Sequence, residues 1–367
     1  MGAENKKILI LGNSNLVVFK FRKELVQRLV AEEYEVTVAF PNGPFGDGEK
    51  SAKEFGCNFI EIDIDRRGTN PLHDIVLFFN FCKIIAKLRP KYVLAYTVKP
   101  DVYGGIACTL LGTPILINIT GLGKGLVEKG IIQKITVMLY KLAVKNAACV
   151  FFQNENDRKY FDDQKIRYKR GEQLPGSGVN LQEFHPFDYP KQDKTVFTYV
   201  GRVMKAKGIE EYLAAARHFA DRKDVELHVC GFCEEDYVAA MNEYQAKGLI
   251  VYHGLVESVI DYIKNSHCVV LPSFHPEGVS NVLLEAAACA RPLITTDHPG
   301  CRETVDHGKT GYLVKPRSGE DLIEKMELFI ALSPEEKIAM GKAGRAKIEK
   351  DFDREIVVEA YMNIIKQ

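Results

Sequence analysis

The 367-residue chain has no tryptophan, no net charge and no long hydrophobic run. Its 49 basic side chains are matched by 49 acidic ones, which excludes a uniformly basic nucleic-acid binder, and no nucleic-acid partner is expected. With 46% hydrophobic and 27% charged residues, disorder and collagen-like repeats are excluded as well. The uncharged stretch from Val102 to Gly123 is broken by Gly112, Thr113, Pro114 and Asn118. It reads as a buried helix followed by a buried strand and not as a bilayer span. The opening MGAENKKILILG carries only a few apolar residues before a glycine, so it reads as a first strand and not a signal peptide. Gly2 lacks the Ser or Thr that a myristoylation signal wants. The nine cysteines are odd in number and scattered, which points to free thiols in a reducing compartment. Cys230 and Cys233 form one CxxC with no second pair, so a zinc ribbon is not expected.

What the sequence does contain is alternation. Short apolar runs at Lys7–Leu11, Glu35–Phe40, Phe59–Ile62, Tyr92–Tyr96, Ile115–Ile119 and Val150–Gln153 read as strands, separated by helices such as Val17–Ala31, Leu72–Leu88 and Ile131–Lys145. A second series follows at Val196–Val200, Glu226–Cys230, Ile250–His253, Cys268–Leu271 and Leu293–Thr296. Strand–helix alternation predicts an α/β fold of parallel sheets covered by helices on both faces. The Pro-bearing segment Phe184–Lys194 reads as a linker. The expected domains are 1–185 and 186–353, with the last helix, 354–367, packing back on the first. Each series opens on a strand, a glycine turn and a helix: GNSN at Gly12–Asn15, and GRVMKAKG at Gly201–Gly208. Two Rossmann-like halves facing a cleft would bind ligands at the carboxyl ends of their strands. Residues 1–185 hold 26 basic against 20 acidic side chains, so neutrality overall hides a basic first half. Lys124, Lys129, Lys134, Lys141 and Lys145 are interleaved with Leu126, Ile131, Ile132, Ile135, Met138 and Leu142, with Glu128 the one acid. Such a basic amphipathic stretch suits an anionic membrane surface; a core-facing helix with solvated lysines reads the same way.

The densest chemical signal is PEGVSNVLLEAAACARPLITTD, Pro276–Asp297. Ser280 is a good N-cap for a Leu- and Ala-rich helix. Glu277 falls in the preceding loop and Glu285 in the second turn, seven residues lying between the two carboxylates. The backbone N–H groups of Ser280, Asn281 and Val282 at the helix start suit a phosphate. A carboxylate on either side suits the hydroxyls of two sugars; a capped core helix with two surface acids is the plainer alternative. Arg202, after Gly201 at a strand end, and Lys207, before a helix, suit a diphosphate approached from the other side. The GxxxxGK[ST] spacing of a Walker loop is absent. The first turn, GNSN, is not GxGxxG either; it offers close backbone approach at Gly12 and polar contacts from Asn13 to Asn15.

The run EGVSNVLLEAAACARPLITTD, together with GRVMKAKG, resembles the retaining glycosyltransferases of the large family 4, which have the GT-B fold. YTVKPDVYGGIA (Tyr96–Ala107), NITGLGKG (Asn118–Gly125), VFFQNENDRKYF (Val150–Phe161), LPGSGVNLQEF (Leu174–Phe184) and HCVVLPSFHPEG (His267–Gly278) are similar to a bacterial subgroup that extends polyprenyl-diphosphate-linked glycans. Some members of that subgroup transfer N-acetylgalactosamine in an α-1,3 linkage. The resemblance implies a UDP-sugar donor, a polyprenyl-diphosphate-linked acceptor and no cofactor or catalytic metal. It implies that Glu277 positions the donor sugar and stabilises charge at its anomeric carbon, and that Glu285 holds the ribose. Arg202 and Lys207 would neutralise the diphosphate, with amides of Ser280, Asn281 and Val282 beside Gly278 and Val279. Gly12 and Gly201 would lie close to the diphosphate. The uracil would sit near Gly231 and Leu255–Val256. On the acceptor side the resemblance points to Asn15, Lys99, Thr120 and Gly121. Relatives place a histidine in the first domain where this sequence has Asn118-Ile-Thr-Gly; Thr120 or the Gly121–Gly123 backbone would take that place.

The expected activity is a retaining hexosyl transfer in surface polysaccharide or glycan assembly, carried out in the cytoplasm at the inner face of the plasma membrane. Two other readings stay open at this point: a non-hydrolysing UDP-sugar epimerase and a non-catalytic nucleotide-sugar-binding scaffold.

Overall fold

The computed structural model of the protein describes residues 5–43, 46–65, 68, 70–127 and 130–367. Gly2, Glu128 and Lys129, and the side chain of Lys124, lie outside the described residues. The chain divides by contacts into two units. One comprises Met1–Ser177, Pro276–Gly278 and Glu355–Gln367, the other Gly178–His275 and Val279–Arg354.

The first unit carries, among the described residues, a seven-stranded parallel sheet. Its strands are β1 (Lys7–Leu11), β2 (Glu35–Phe40), β3 (Asn58–Glu61), β4 (Tyr92–Tyr96), β5 (Ile115–Ile119), β6 (Cys149–Phe152) and β7 (Gly171–Gln173). Their order across the sheet is β3-β2-β1-β4-β5-β6-β7. The helices between them are α1 (Lys23–Ala31), α2 (Gly48–Glu54), α3 (Pro71–Leu88), α4 (Gly105–Leu111), α5 (Gly123–Val127), α6 (Ile131–Ala143) and α7 (Glu155–Asp163). Period-two alternation sends Leu9, Leu11, Val93 and Ala95 into one apolar core and Ile8, Ile10, Leu94 and Tyr96 into another. Because both faces are covered, these strands are apolar throughout, as doubly wound sheets require. Each buried Leu or Ile contributes about 1.5–3 kcal/mol by leaving water.

The second unit repeats the plan with six strands. They are β8 (Thr195–Val200), β9 (Val225–Cys230), β10 (Val251–Gly254), β11 (Cys268–Leu271), β12 (Leu293–Thr296) and β13 (Gly311–Val314), in the order β10-β9-β8-β11-β12-β13. Its helices are α8 (Ile209–His218), α9 (Val238–Ala246), α10 (Ile260–Lys264), α11 (Asn281–Ala288), α12 (Gly319–Ala331) and α13 (Pro334–Asp351). In both sheets the strand order reverses beside the first strand, between β1 and β4 and between β8 and β11. The carboxyl ends at those reversals are where such sheets bind ligands.

The final helix, α14 (Arg354–Ile365), belongs from Glu355 onward to the first unit. Tyr361 and Met362 are fully buried in its core, and Arg28 of α1 pairs with Glu355 and Glu359.

Several expectations change. The helix expected over Val17–Ala31 is broken. A wide π-type turn at Leu16–Lys20 precedes α1, and at the break Arg22 turns inward to donate to Ser177 Oγ at 2.6 Å and stack on the Tyr96 ring. β7 and β13 were not anticipated; both are short edge strands, β7 (Gly-Glu-Gln) without any apolar run and β13 with only the three residues Tyr312–Val314 after a glycine. The Phe184–Lys194 segment has a linker's composition but is pinned to the second unit. The guanidinium of Arg291, only 1% exposed, donates to the carbonyls of Phe187 and Asp188, and Arg345 donates to that of Phe184.

Candidate functional site

In the second unit the site begins where β8 ends. The Gly201 amide donates to Cys230 O at 2.9 Å and the Gly231 amide to Gly254 O at 2.7 Å. A Cβ on Gly231 would stand 1.7 Å from Gly201 O, so this position admits glycine only. Val256, half-buried, follows two residues after Gly254, whose carbonyl takes the Gly231 amide. Arg202 leaves the strand end with its guanidinium on Glu234 Oε2 at 2.5 Å and 3.4 Å from His275 Nε2. Tyr199 OH donates to Arg202 O and fixes the turn.

The basic turn Lys205–Lys207 is stitched to the segment after β11. Phe274 N–H donates to Ala206 O at 2.9 Å. Gly208, at φ +78°, backs onto Pro272 O so closely that a Cβ would come within 2.1 Å. The left-handed backbone and this contact both demand glycine. Lys207, 8% exposed, is thereby held in the fold instead of waving in solvent. Arg202, Lys207 and the Pro272–His275 segment are thus brought together at the reversal point between β8 and β11.

The segment after Gly278 forms α11. Ser280 takes the N-cap position with extended backbone, and Leu283 through Ala288 are strong helix formers. Ala290, left-handed at φ +57°, and Pro292 end the helix. The Ser280 hydroxyl makes no capping hydrogen bond. Its amide, expected to face a phosphate, donates instead to Gly300 O at 2.8 Å. It is spent on holding the Pro299–Cys301 turn against the helix start. The amides at the helix start then come from Asn281 and Val282, and Asn281 Oδ1 is buried with no partner among the described residues. Glu303 accepts from the Gly300 amide at 2.8 Å, and burial raises its carboxyl above the usual range. Glu285, expected at the surface in the plainer reading, is 3% exposed on α11.

Glu277 and Gly278 go with the first unit. Asn154 Nδ2 donates to Glu277 O at 3.3 Å and to Gly278 O at 3.0 Å, and the Gly278 amide donates to Thr120 O at 3.1 Å. Gly121 lies against the Glu277 backbone. Behind them Gln153 Nε2 donates to Asn118 Oδ1, and Asn118 Nδ2 to Tyr361 OH. Asn118 is fully buried and serves this network.

The other first-unit candidates sit at strand ends. Gly12 follows β1, its amide donating to Ala39 O. Asn15 donates to Ser51 Oγ at 2.8 Å and so holds the start of α2. Lys99, after β4, pairs with Asp74 of α3 at 2.6 Å, and Tyr103 OH donates to the other Asp74 oxygen. Asp74 also lines a cavity of about 280 Å³ with Asp63, Asp65, His73 and Asn80.

Sequence reasoning missed Asn154, Glu234 and Glu303. Asn154 caps α7, its Oδ1 accepting from Asp157 N; what its amide donates to is set by the tertiary fold. Of the CxxC, Cys230 is buried at the end of β9, where burial pushes its thiol up to about 12. Among the described residues no group of three His, Cys, Asp or Glu side chains could hold a metal ion, and no helix is long and apolar enough to cross a membrane.

Comparison with known proteins covers both units. Residues 7–154 match a "Glycosyl transferase 4-like" family and residues 182–347 match "Glycosyl transferases group 1". The chain is 23% identical, over 98% of both proteins, to an N,N'-diacetylbacillosaminyl-diphospho-undecaprenol alpha-1,3-N-acetylgalactosaminyltransferase of Campylobacter jejuni. It is 25% identical to a capsular polysaccharide biosynthesis glycosyltransferase, CapM, of Staphylococcus aureus, over 84% of this chain and 85% of the relative. In fold it matches Anabaena HepE, solved in complex with UDP and glucose, with TM-score 0.80 and 17% identity over 99% of this chain and all of that one. A sucrose-phosphate synthase from Thermosynechococcus elongatus matches at TM-score 0.80 and 20% identity, over 99% of this chain and 98% of that one.

Proposed function

Because the chain is a glycosyltransferase of the group 1, family 4-like type with the GT-B fold, we propose that it moves a hexose from a UDP-sugar to a polyprenyl-diphosphate-linked sugar with retention at the anomeric carbon. N-acetylgalactosamine is the favoured hexose. The observation that carries the reading is the cation pair Arg202 and Lys207, fixed beside the Pro272–His275 segment where the second sheet's strand order reverses. Two fixed cations and the amides of Asn281 and Val282 suit the charge that develops on departing UDP, so no metal is needed in this reading. The C1–phosphate bond breaks, the acceptor oxygen bonds to C1 on the same face, and the acceptor's proton passes to the departing phosphate oxygen. Glu277 steadies the charge at C1, and Glu285 holds the ribose. On the acceptor side, Lys99 would exchange Asp74 for the lipid diphosphate, with Asn15, Thr120 and Gly121 at neighbouring strand ends. Support for the donor and acceptor classes comes from the printed activity of the Campylobacter relative and the UDP in the Anabaena structure. A lipid-borne acceptor places the enzyme at the inner face of the plasma membrane.

The test is UDP release from a panel of UDP-sugars offered with short polyprenyl-diphosphate sugars. The reading expects release that depends on the acceptor and is largest with UDP-N-acetylgalactosamine. Return of an isomerised UDP-sugar without an acceptor, or binding without release, overturns it.

A further inference from the structure

Helices α3, α4 and α6 lie side by side on one face of the first sheet, and each sends a stripe into the same core: Leu77, Phe81 and Ile85 from α3, Ala107 and Cys108 from α4, Val137 and Tyr140 from α6. An amphipathic surface helix should be polar on the opposite side. Here it is not. On α3 the outward positions are Leu72, Ile75, Val76 and Phe79, exposed by 52–70%. α4 adds Leu110 and Leu111. α6 adds Ile131, Ile132, Ile135, Met138 and Leu142, the first of them 78% exposed. These are eleven of the sixteen large hydrophobic side chains exposed among the described residues. A concentration of this kind in one layer marks an interaction surface.

Charge indicates what covers it. The described basic side chains on the three helices are Lys83, Lys87, Lys134 and Lys141, and the one carboxylate on them is Asp74. Asp74 is neutralised by Lys99 and bound by Tyr103. Asp63 and Asp65 precede α3 and line the small cavity at its first turns with Asp74, where Val76 forms the outer wall. By the 3.6-residue period Lys87, Lys134 and Lys141 stand beside the apolar stripe of their own helices, between it and the buried one, while Lys83 continues the outward face of α3 one turn beyond Phe79. From there their stems can reach a headgroup layer while the stripe enters the acyl boundary.

We propose that the combined outward face of α3, α4 and α6 is an interfacial membrane-binding surface for an anionic lipid leaflet, with α3 as an inserting element in its own right. This deepens the proposed function, on which it rests in one respect: the acceptor is lipid-borne, so the face would carry the enzyme to the layer where that acceptor is dissolved.

The test is flotation of the full chain with vesicles of phosphatidylcholine, with and without phosphatidylglycerol. Wild type should float with the anionic vesicles and progressively less as salt is added. The pairs Ile75→Ser with Phe79→Ser, Ile135→Ser with Met138→Ser, and Lys134→Glu with Lys141→Glu should each weaken partitioning by about tenfold or more. All three should keep wild-type circular dichroism and wild-type transfer to a short-chain, water-soluble acceptor. The proposal is overturned if wild type stays in the subphase, or if the α3 pair floats like wild type. It is equally overturned if light scattering shows a dimer that these substitutions dissociate, which would make a second copy the occupant. Absence of transfer by wild type to the soluble acceptor would count against the functional reading and leave the flotation result standing.

Discussion

Arg202 shows how one residue's surroundings set its task. Its guanidinium is already in place, held by Glu234 and facing His275, so a phosphate meets an oriented fork and not a mobile chain. Lys207 is fixed by a different device, the Gly208–Pro272 contact that holds its turn. Removing a pre-positioned charge that acts on a leaving group lowers turnover by roughly 10²–10³. Arg202→Ala and Lys207→Ala should each fall by that much in kcat, measured as acceptor-dependent UDP release, with unfolding midpoints near wild type. Unchanged kcat in either purified variant contradicts its assignment. At this scale much was legible. Glycine, arginine and lysine at a strand end could be picked out by residue type alone as candidates for a diphosphate site, and the structure brings Arg202 and the Lys205–Lys207 turn to the end of β8. Ser280 was misjudged for a physical reason: capping propensity follows from the side chain, whereas the partner of its amide, Gly300, is twenty residues away and set by the tertiary fold.

Among the elements, strands buried on both faces were the most legible. β1, β2, β4, β5, β11 and β12 lie where continuous apolar runs placed them. β7 has half-exposed residues and no run to read, and β13 offers only the short run Tyr312–Val314, two of whose residues are half-exposed. The entry to β11 also carries a pH dependence. His267 is 5% exposed, and its Nδ1 accepts the Val196 amide at 3.0 Å, which requires the neutral ring. Burial, with Lys337 and Arg291 nearby, lowers its pKa to about 4. In the unfolded chain it titrates near 6.5. Between those values the unfolded state binds the extra proton, so the stability His267 lends is whole above about pH 6.5 and drains away as pH falls toward 4. Urea unfolding should show wild type losing about 2 kcal/mol more than His267→Gln between pH 7 and pH 5. Parallel losses in the two proteins would contradict this.

At the scale of the whole molecule, the two units share one strand plan and divide the charge. The first 185 residues carry an excess of six basic side chains, and the remainder an equal acidic excess. Glu277 and Gly278 cross this division: they are adjacent in sequence to α11 but held by Asn154 and Thr120 of the first unit. No local pattern could reveal that, because the E-x7-E spacing counts residues and not partners. The outward apolar face was half legible for the same reason. α6 stood out through its interleaved lysines, while α3 looked like an ordinary core helix until its buried stripe was known. Polyprenyl-linked transfer in this account begins with one physical event, the capture of a nucleotide diphosphate in the second unit. A crystal structure with UDP tests this most directly. The account predicts the diphosphate within hydrogen-bonding distance of Arg202, Lys207 and the Asn281 and Val282 amides, with the ribose on Glu285. UDP seated away from these groups, with Arg202 still held by Glu234, would contradict it.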